Sequence, residues 1–130
     1  MAISHPVVRM PYMKLSVQSR EGDVCRIRLQ GRVSQRDVTS GEEPIADLLG
    51  ENAYAQKLVL DLNEVATLDS SGVNWLLICQ KRIRQAGGRL VLHSLSPIAR
   101  NVIKVLNLQT VFQVADDENQ ALRLVEEQAG

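Results

Sequence analysis

The run Lys57-Leu58-Val59-Leu60-Asp61-Leu62 leads through a short connector to Asp69-Ser70-Ser71-Gly72, and an amphipathic stretch then carries the chain to Gly87-Gly88. The nearly continuous apolar residues over 58–62 predict a central strand covered on both faces. The following segment predicts a helix with a serine in its first turn. Placing successive residues about 100° apart puts Gly72, Leu76, Cys79 and Ile83 on one inward face, with Val73, Gln80 and Ala86 at its margins. Asn74, Lys81 and Gln85 lie opposite, flanked by Arg82 and Arg84, and Ile78 falls among these polar residues, where it is expected to be solvated. A helix start leaves backbone N–H groups unpaired and carries the positive end of the peptide dipole, so a negative group placed there is stabilised. A phosphate on Ser71 would sit where the backbone tolerates it. Asp69 and Ser70 equally suit the plain role of capping side chains, which Asp and Ser commonly fill.

Upstream, Met13-Lys14-Leu15-Ser16-Val17-Gln18 alternates at period two, and after Glu21-Gly22-Asp23 the segment 24–29 does the same through Cys25, Ile27 and Leu29. Together they predict a hairpin whose second strand ends at Gly31. Residues 1–12, with Pro6 and Pro11, read as a flexible leader before a single domain over 13–130. The polar segment 31–41 reads as a connecting loop. A short helix over 42–49 is supported by Glu42 and Glu43 in its first turn, Pro44 early, Ile45, Leu48 and Leu49 on one face, and Gly50 as a stop.

Downstream, Gly87-Gly88 reads as a left-handed helix stop, and residues 89–94 form another apolar strand. Ser96-Pro97 supplies a cap and first-turn proline for a helix running through Ile98, Val102, Val105 and Leu106. A short strand over 111–114 follows. Asp116, Asp117 and Glu118 favour the start of a last helix over 119–128, with Leu122 and Val125 inward. A strand pair followed by alternating helices and strands predicts an α/β fold, one mixed β-sheet with helices packed against it.

At 130 residues the chain fits one domain with a modest core, and with 45% hydrophobic and 23% charged residues it reads as globular. Aromatics are only 3%, so the core must be aliphatic. Fifteen basic and fifteen acidic side chains cancel, which removes any general drive toward nucleic acid or anionic membrane, and neither partner is expected. Cys25 and Cys79 are too far apart for a metal-type pair and read as buried small hydrophobes. The start of the chain lacks a basic region followed by a long apolar run, and no later segment approaches membrane-spanning length, so the chain reads as cytoplasmic.

The stretch from Asp69-Ser70-Ser71-Gly72-Val73 through the apolar helix and Gly87-Gly88 to Arg89-Leu90-Val91-Leu92 resembles the anti-sigma-factor antagonists of the STAS domain family. The resemblance implies a single STAS-like domain in which Ser71 is phosphorylated, with Asp69, Ser70 and Gly72 supporting it. It also implies that the unphosphorylated domain captures an ATP-using anti-sigma factor serine kinase and frees a sigma factor, and that a serine phosphatase resets the switch. The nucleotide belongs to the kinase, so no cofactor is expected here. Members usually carry an acidic residue shortly after the glycine ending the second strand; this chain has Gly31-Arg32-Val33-Ser34 there, with Arg36 and Asp37 beyond. Arg32 and Arg36 make this loop more basic than the family pattern, which suits either a bound phosphate or a plain solvated loop, and Ser34 and Arg36 are the candidate contacts to the phosphate or the partner. Asn74, Ile78 and Lys81 are candidate docking residues on the Ser71 helix. A non-switching STAS scaffold or regulatory subunit of a larger complex is the alternative.

Enzymatic and metal chemistry find little support. A serine hydrolase would need a base near Ser70 or Ser71, yet no Gly-x-Ser-x-Gly elbow exists and the histidines are His5, in the leader, and His93, in an apolar strand where a structural role is expected. The acidic residues are dispersed without a His or Cys cluster.

Overall fold

In a computed structural model that describes residues 6–9, 12–34, 43–50 and 52–127, the two alternating segments form the expected hairpin. Strand β2 (Met13–Glu21) pairs antiparallel with β3 (Val24–Val33), turning at Gly22, whose φ of 63° suits glycine. The remaining strands are β1 (Val7–Arg9), β4 (Lys57–Leu68), β5 (Arg89–His93) and β6 (Gln113–Ala115). The helices are α1 (Pro44–Leu49), α2 (Ser70–Gln85), α3 (Pro97–Val105) and α4 (Glu118–Glu126). The sheet runs β1-β2-β3-β4-β5-β6, antiparallel across β1 to β3 and parallel from β3 to β6. This is the mixed α/β architecture expected.

Strand alternation divides the interior in two. Leu58, Leu60 and Leu62 of β4 join Leu15, Ile27, Leu29, Leu92 and the inward residues of α1, α2 and α3 in the larger cluster. Val59, between them, faces the other way and packs with Val91, Ala115 and, from α4, Ala121 and Val125. Burying each Leu, Ile or Val among them contributes about 1.5–3 kcal/mol. Where α4 does not reach, that second face carries ion pairs, Arg28 meeting Asp61 at 3.3 Å and Glu64 at 3.7 Å, and Arg26 ties β3 to the start of α4 through Glu118 at 3.0 Å. Among the described residues no helix is long and apolar enough to cross a membrane.

Several expectations are corrected. Residues 7–9, assigned to the leader, form β1 against the free edge of β2, because two valines suit a strand and Pro6 stands just outside it. The second hairpin strand passes through Gly31 to Val33. Gly31 instead marks a shift of register at φ 92°, where a Cβ would lie 2.3 Å from Tyr12 O. The supposed connector after Leu62 is strand: β4 continues to Leu68, its polar residues outward and Val65 and Leu68 buried. Glu42 lies outside the described residues, and Glu43, before α1, has no side-chain capping bond and pairs with Arg82 instead. Trp75 is buried beside the predicted face of α2, while Ala86 is its exposed C-cap. In α3 the buried residues are Ala99 and Ile103, leaving Ile98, Val105 and Leu106 exposed. In α4 Ala121 and Val125 are buried and Leu122 only half so.

Candidate functional site

Strands β3 and β4 are parallel and finish in register at Val33 and Leu68, so Ser34 and Asp69 leave the sheet side by side. The Asp69 N–H donates to Val33 O at 3.4 Å, tying the two exits together. Asp69 has the extended backbone of an N-cap, and its Oδ1 accepts from the Gly72 N–H at 2.7 Å. A Cβ on Gly72 would fall 2.2 Å from Val33 O. Glycine is thus required here for close approach, and that approach seats the first turn of α2 directly on the end of β3.

The consequence is a chain of three side chains. Ser71 Oγ donates to Asp69 Oδ1 at 2.7 Å, and Ser34 Oγ lies 3.0 Å from Ser71 Oγ. A hydroxyl has one proton to give, and that of Ser71 is directed at Asp69, so Ser71 Oγ faces Ser34 as an acceptor, while the Ser34 hydroxyl stands within reach of both Ser71 and the Asp69 carboxylate. The Ser71 hydroxyl holds the Asp69 carboxyl below its ordinary pKa; the Gly72 N–H and the Ser34 hydroxyl act in the same sense, while partial burial opposes them. Asp69 is therefore a carboxylate at neutral pH. The capping role read for Ser70 belongs to Asp69, whose shorter path from the β4 end reaches the N–H groups, and Ser70 is an exposed first helical residue.

Ser71, Asn74, Ile78 and Lys81 are spaced by three, four and three residues and share one stripe of α2. Asn74 and Lys81 are exposed. Ile78, expected to be solvated, is half-buried yet belongs to neither hydrophobic cluster; long helix side chains readily cover part of an apolar neighbour in this way. Arg36 and Asp37 lie outside the described residues. Arg32, counted toward a basic loop, is in β3, with its guanidinium 5.4 Å from the Tyr12 ring centroid. The sequence reading missed this Tyr12 contact; the signal available was Gly31, beside which the Tyr12 carbonyl packs.

The other singled-out residues are structural. His93 is buried, its Nδ1 lies 2.8 Å from Ser94 Oγ, and burial pushes its pKa down. Cys25 and Cys79 are free and buried, and desolvation pushes the Cys79 thiol up to about 12, which leaves it an unreactive hydrophobe. Among the described residues no three His, Cys, Asp or Glu side chains converge on a metal-sized site.

The family model described as Mlab, STAS domain matches residues 16–124. BtrV of Bordetella bronchiseptica, named as a candidate anti-sigma factor antagonist, is 29% identical over 109 residues, covering 84% of this chain and 91% of BtrV. Among solved structures, an anti-sigma factor antagonist from Mycobacterium paratuberculosis is similar with a TM-score of 0.68 at 22% identity, covering 88% of this chain and 95% of that one. The Bacillus protein SpoIIAA is similar in its unphosphorylated form, with a TM-score of 0.63 at 22% identity over 89% of this chain and 99% of that one. Its phosphorylated form gives 0.55 at 19% identity, over 85% and 98%. With the family match spanning nearly all of the sheet and the Asp69–Gly72 turn at its centre, the chain belongs to the STAS domain family.

Proposed function

We propose that this domain is an anti-sigma factor antagonist whose capture of an anti-sigma factor serine kinase is gated by phosphorylation of Ser71. The observation that carries this reading is the Ser71 hydroxyl on the first turn of α2, hydrogen-bonded to the Asp69 carboxylate at 2.7 Å. Attack of Ser71 Oγ on the terminal phosphorus of kinase-bound ATP forms the phosphoserine and breaks the bond to ADP. The hydroxyl proton is lost, and Asp69 is the acceptor already in contact with it. A phosphate adds roughly −1.5 to −2 charges. It removes the donor on which Asp69 relies and sets like charges beside each other, while the helix N-terminus and the Ser34 hydroxyl offer donors to its oxygens. The change is confined to the contact surface, so binding switches without refolding. Hydrolysis by a serine phosphatase restores the hydroxyl. The names of BtrV and of the SpoIIAA structures, one of them phosphorylated, support the same reading.

Incubation with the anti-sigma-type serine kinases of the source cell and ATP, read by intact mass and peptide mapping, tests it. One phosphate on Ser71 is expected, and Ser71→Ala should block modification while retaining kinase capture. A phosphate found only on Ser70 would sink the assignment. Stable capture with no modification by any kinase would favour the non-switching scaffold.

A further inference from the structure

At the far end of α2 from Ser71, where the helix gives way to β5, an open cleft of about 440 Å³ is bounded by Arg84, Arg89 and Gln113 on its polar side and by Ile83, Leu90 and Val111 on its apolar side. Arg84 lies about 20 Å along α2 from Ser71 at about 1.5 Å per residue. We propose that the cleft is a binding site for a carboxylate carried on a short aliphatic chain, independent of the Ser71 switch.

Three observations converge on that ligand. The first is charge: two arginines and no acid line the cleft, and neither Arg84 nor Arg89 makes an ion pair among the described residues. The second is an unsatisfied donor. Arg89 Nη2 donates to Gln113 Oε1 at 3.1 Å, but Nη1 is buried with no hydrogen-bond partner. A buried donor without an acceptor is costly, more so on a charged group, and such groups are rare in folded proteins. A rotation of the Arg89 guanidinium that brings Nη1 to a carboxylate in the cleft exchanges that cost for a charge-assisted bond. The third is the wall: Leu90 and Val111 present apolar surface next to the cations, with the buried Ile83 behind them, as a short aliphatic chain requires, and the volume lies within the range of small-ligand sites.

The opposition of the negative end of the α2 dipole to an anion is reduced here, because three of the last carbonyls are occupied and Arg82 and Arg84 lie in the last turn. Ala86 N–H donates to Arg82 O at 3.0 Å, Gly87 N–H to Arg84 O at 3.2 Å, and Gly88 N–H to Ile83 O at 2.8 Å. The cleft is also held open from the other side, since Gln80 Nε2 donates to Val111 O at 2.8 Å.

Titrating the full chain with hexanoate while following backbone amide and arginine side-chain resonances by NMR tests the proposal. Saturable shifts confined to residues 80–90 and 111–113, with the Arg89 side-chain resonances among those that move, are expected. Arg89→Gln should weaken hexanoate binding roughly tenfold or more, as loss of a charge-assisted bond implies. Arg84→Gln should weaken it less, and it provides the reading should Arg89→Gln not fold, as a melting curve would reveal. Hexanol binding as tightly as hexanoate would overturn the anion assignment, and inorganic phosphate matching hexanoate would overturn the aliphatic carboxylate. Absence of any saturable shift at millimolar hexanoate would overturn the site.

Discussion

Helix α2 enters the sheet layer through Gly72, where a Cβ would meet Val33 O at 2.2 Å, and the chain leaves it through Gly88, where a Cβ would meet Tyr54 O at 2.3 Å. Both ends therefore use a glycine to let backbone approach backbone. They differ in how the orphan groups of the helix are satisfied. At the C-terminus the chain closes on itself, with the Gly87 and Gly88 N–H groups bonded to Arg84 O and Ile83 O, Gly87 at φ 87°, and Arg82 and Arg84 answering the dipole. At the N-terminus the work is done by side chains: Asp69 accepts from Gly72 and Ser71, and the Ser34 hydroxyl lies 3.0 Å from that of Ser71. Backbone closure is fixed by the fold, whereas hydroxyl and carboxylate groups can be modified or titrated. A covalent switch belongs at the second kind of end.

The strongest way to break this contrast is Gly72→Ala. Its Cβ meets backbone that cannot yield locally, so a loss of about 3 kcal/mol is expected in urea denaturation, the upper range for overpacking. The folded fraction should also lose Ser71 modification, since Ser34 and Ser71 are forced apart. Gly88→Ala, tight against the Tyr54 and Gln56 carbonyls, should destabilise comparably yet leave Ser71 a substrate in the molecules that fold.

Ile78→Asp asks whether the stripe below Ser71 is a contact surface. Kinase affinity should fall by roughly 1–3 kcal/mol, measured by calorimetric titration. Stability should change by less than about 1 kcal/mol, because Ile78 stands outside both hydrophobic clusters. A large loss of stability with unaltered affinity would place Ile78 in the packing of α2 instead.

Asp69→Ala removes the cap and should cost about 1 kcal/mol. Because the native carboxyl has a lowered pKa, its contribution is fully present above the ordinary Asp value and disappears as pH falls through the native one. Denaturation from neutral to acid pH should therefore show the wild type approaching the variant as the medium is acidified. The smallest effect is expected for Ser34→Ala, about 0.5 kcal/mol for the hydrogen bonding of a half-buried hydroxyl. The Asp69 carboxyl resonance should then titrate at a slightly higher pH, because one of the donors that lowers its pKa is gone.

The sequence reading succeeded where a local pattern and a tertiary role coincide. The face of α2 was legible from Gly72, Leu76, Cys79 and Ile83, and the start of α3 from Ser96-Pro97, where Ser96 Oγ does accept from Ala99 N–H. It failed where tertiary contact overrode pattern. The end of β4 was missed because Asn63, Glu64, Ala66 and Thr67 interrupt the apolar run while facing out of a strand that pairs with β3 through shifts of register. Trp75 was missed because it lies beside the main stripe, where Ile45 of α1 and Ile27 of β3 border the same small cavity. In α3 the small Ala99 is fully buried while larger neighbours are exposed, which hydrophobic periodicity alone cannot reveal. At the site, Asp69 to Gly72 could be read because they are contiguous. The contact of Ser34 with Ser71 depends on two strand ends finishing in register, and the Arg89 cleft is assembled from three separate segments.

The shortest strands of the sheet are those at its rims, β1 and β6, three residues each, while β3 and β4 in its interior span ten and twelve. A rim of that length offers few unpaired N–H and C=O groups to an incoming strand, and Pro6 next to β1 contributes no donor at all. Growth of the sheet by a neighbouring chain is thereby discouraged at both sides. Association is steered toward helix surfaces and strand-end loops, whose side chains differ from one protein to another, so selectivity among partners is written in side chains and indiscriminate backbone pairing is kept out.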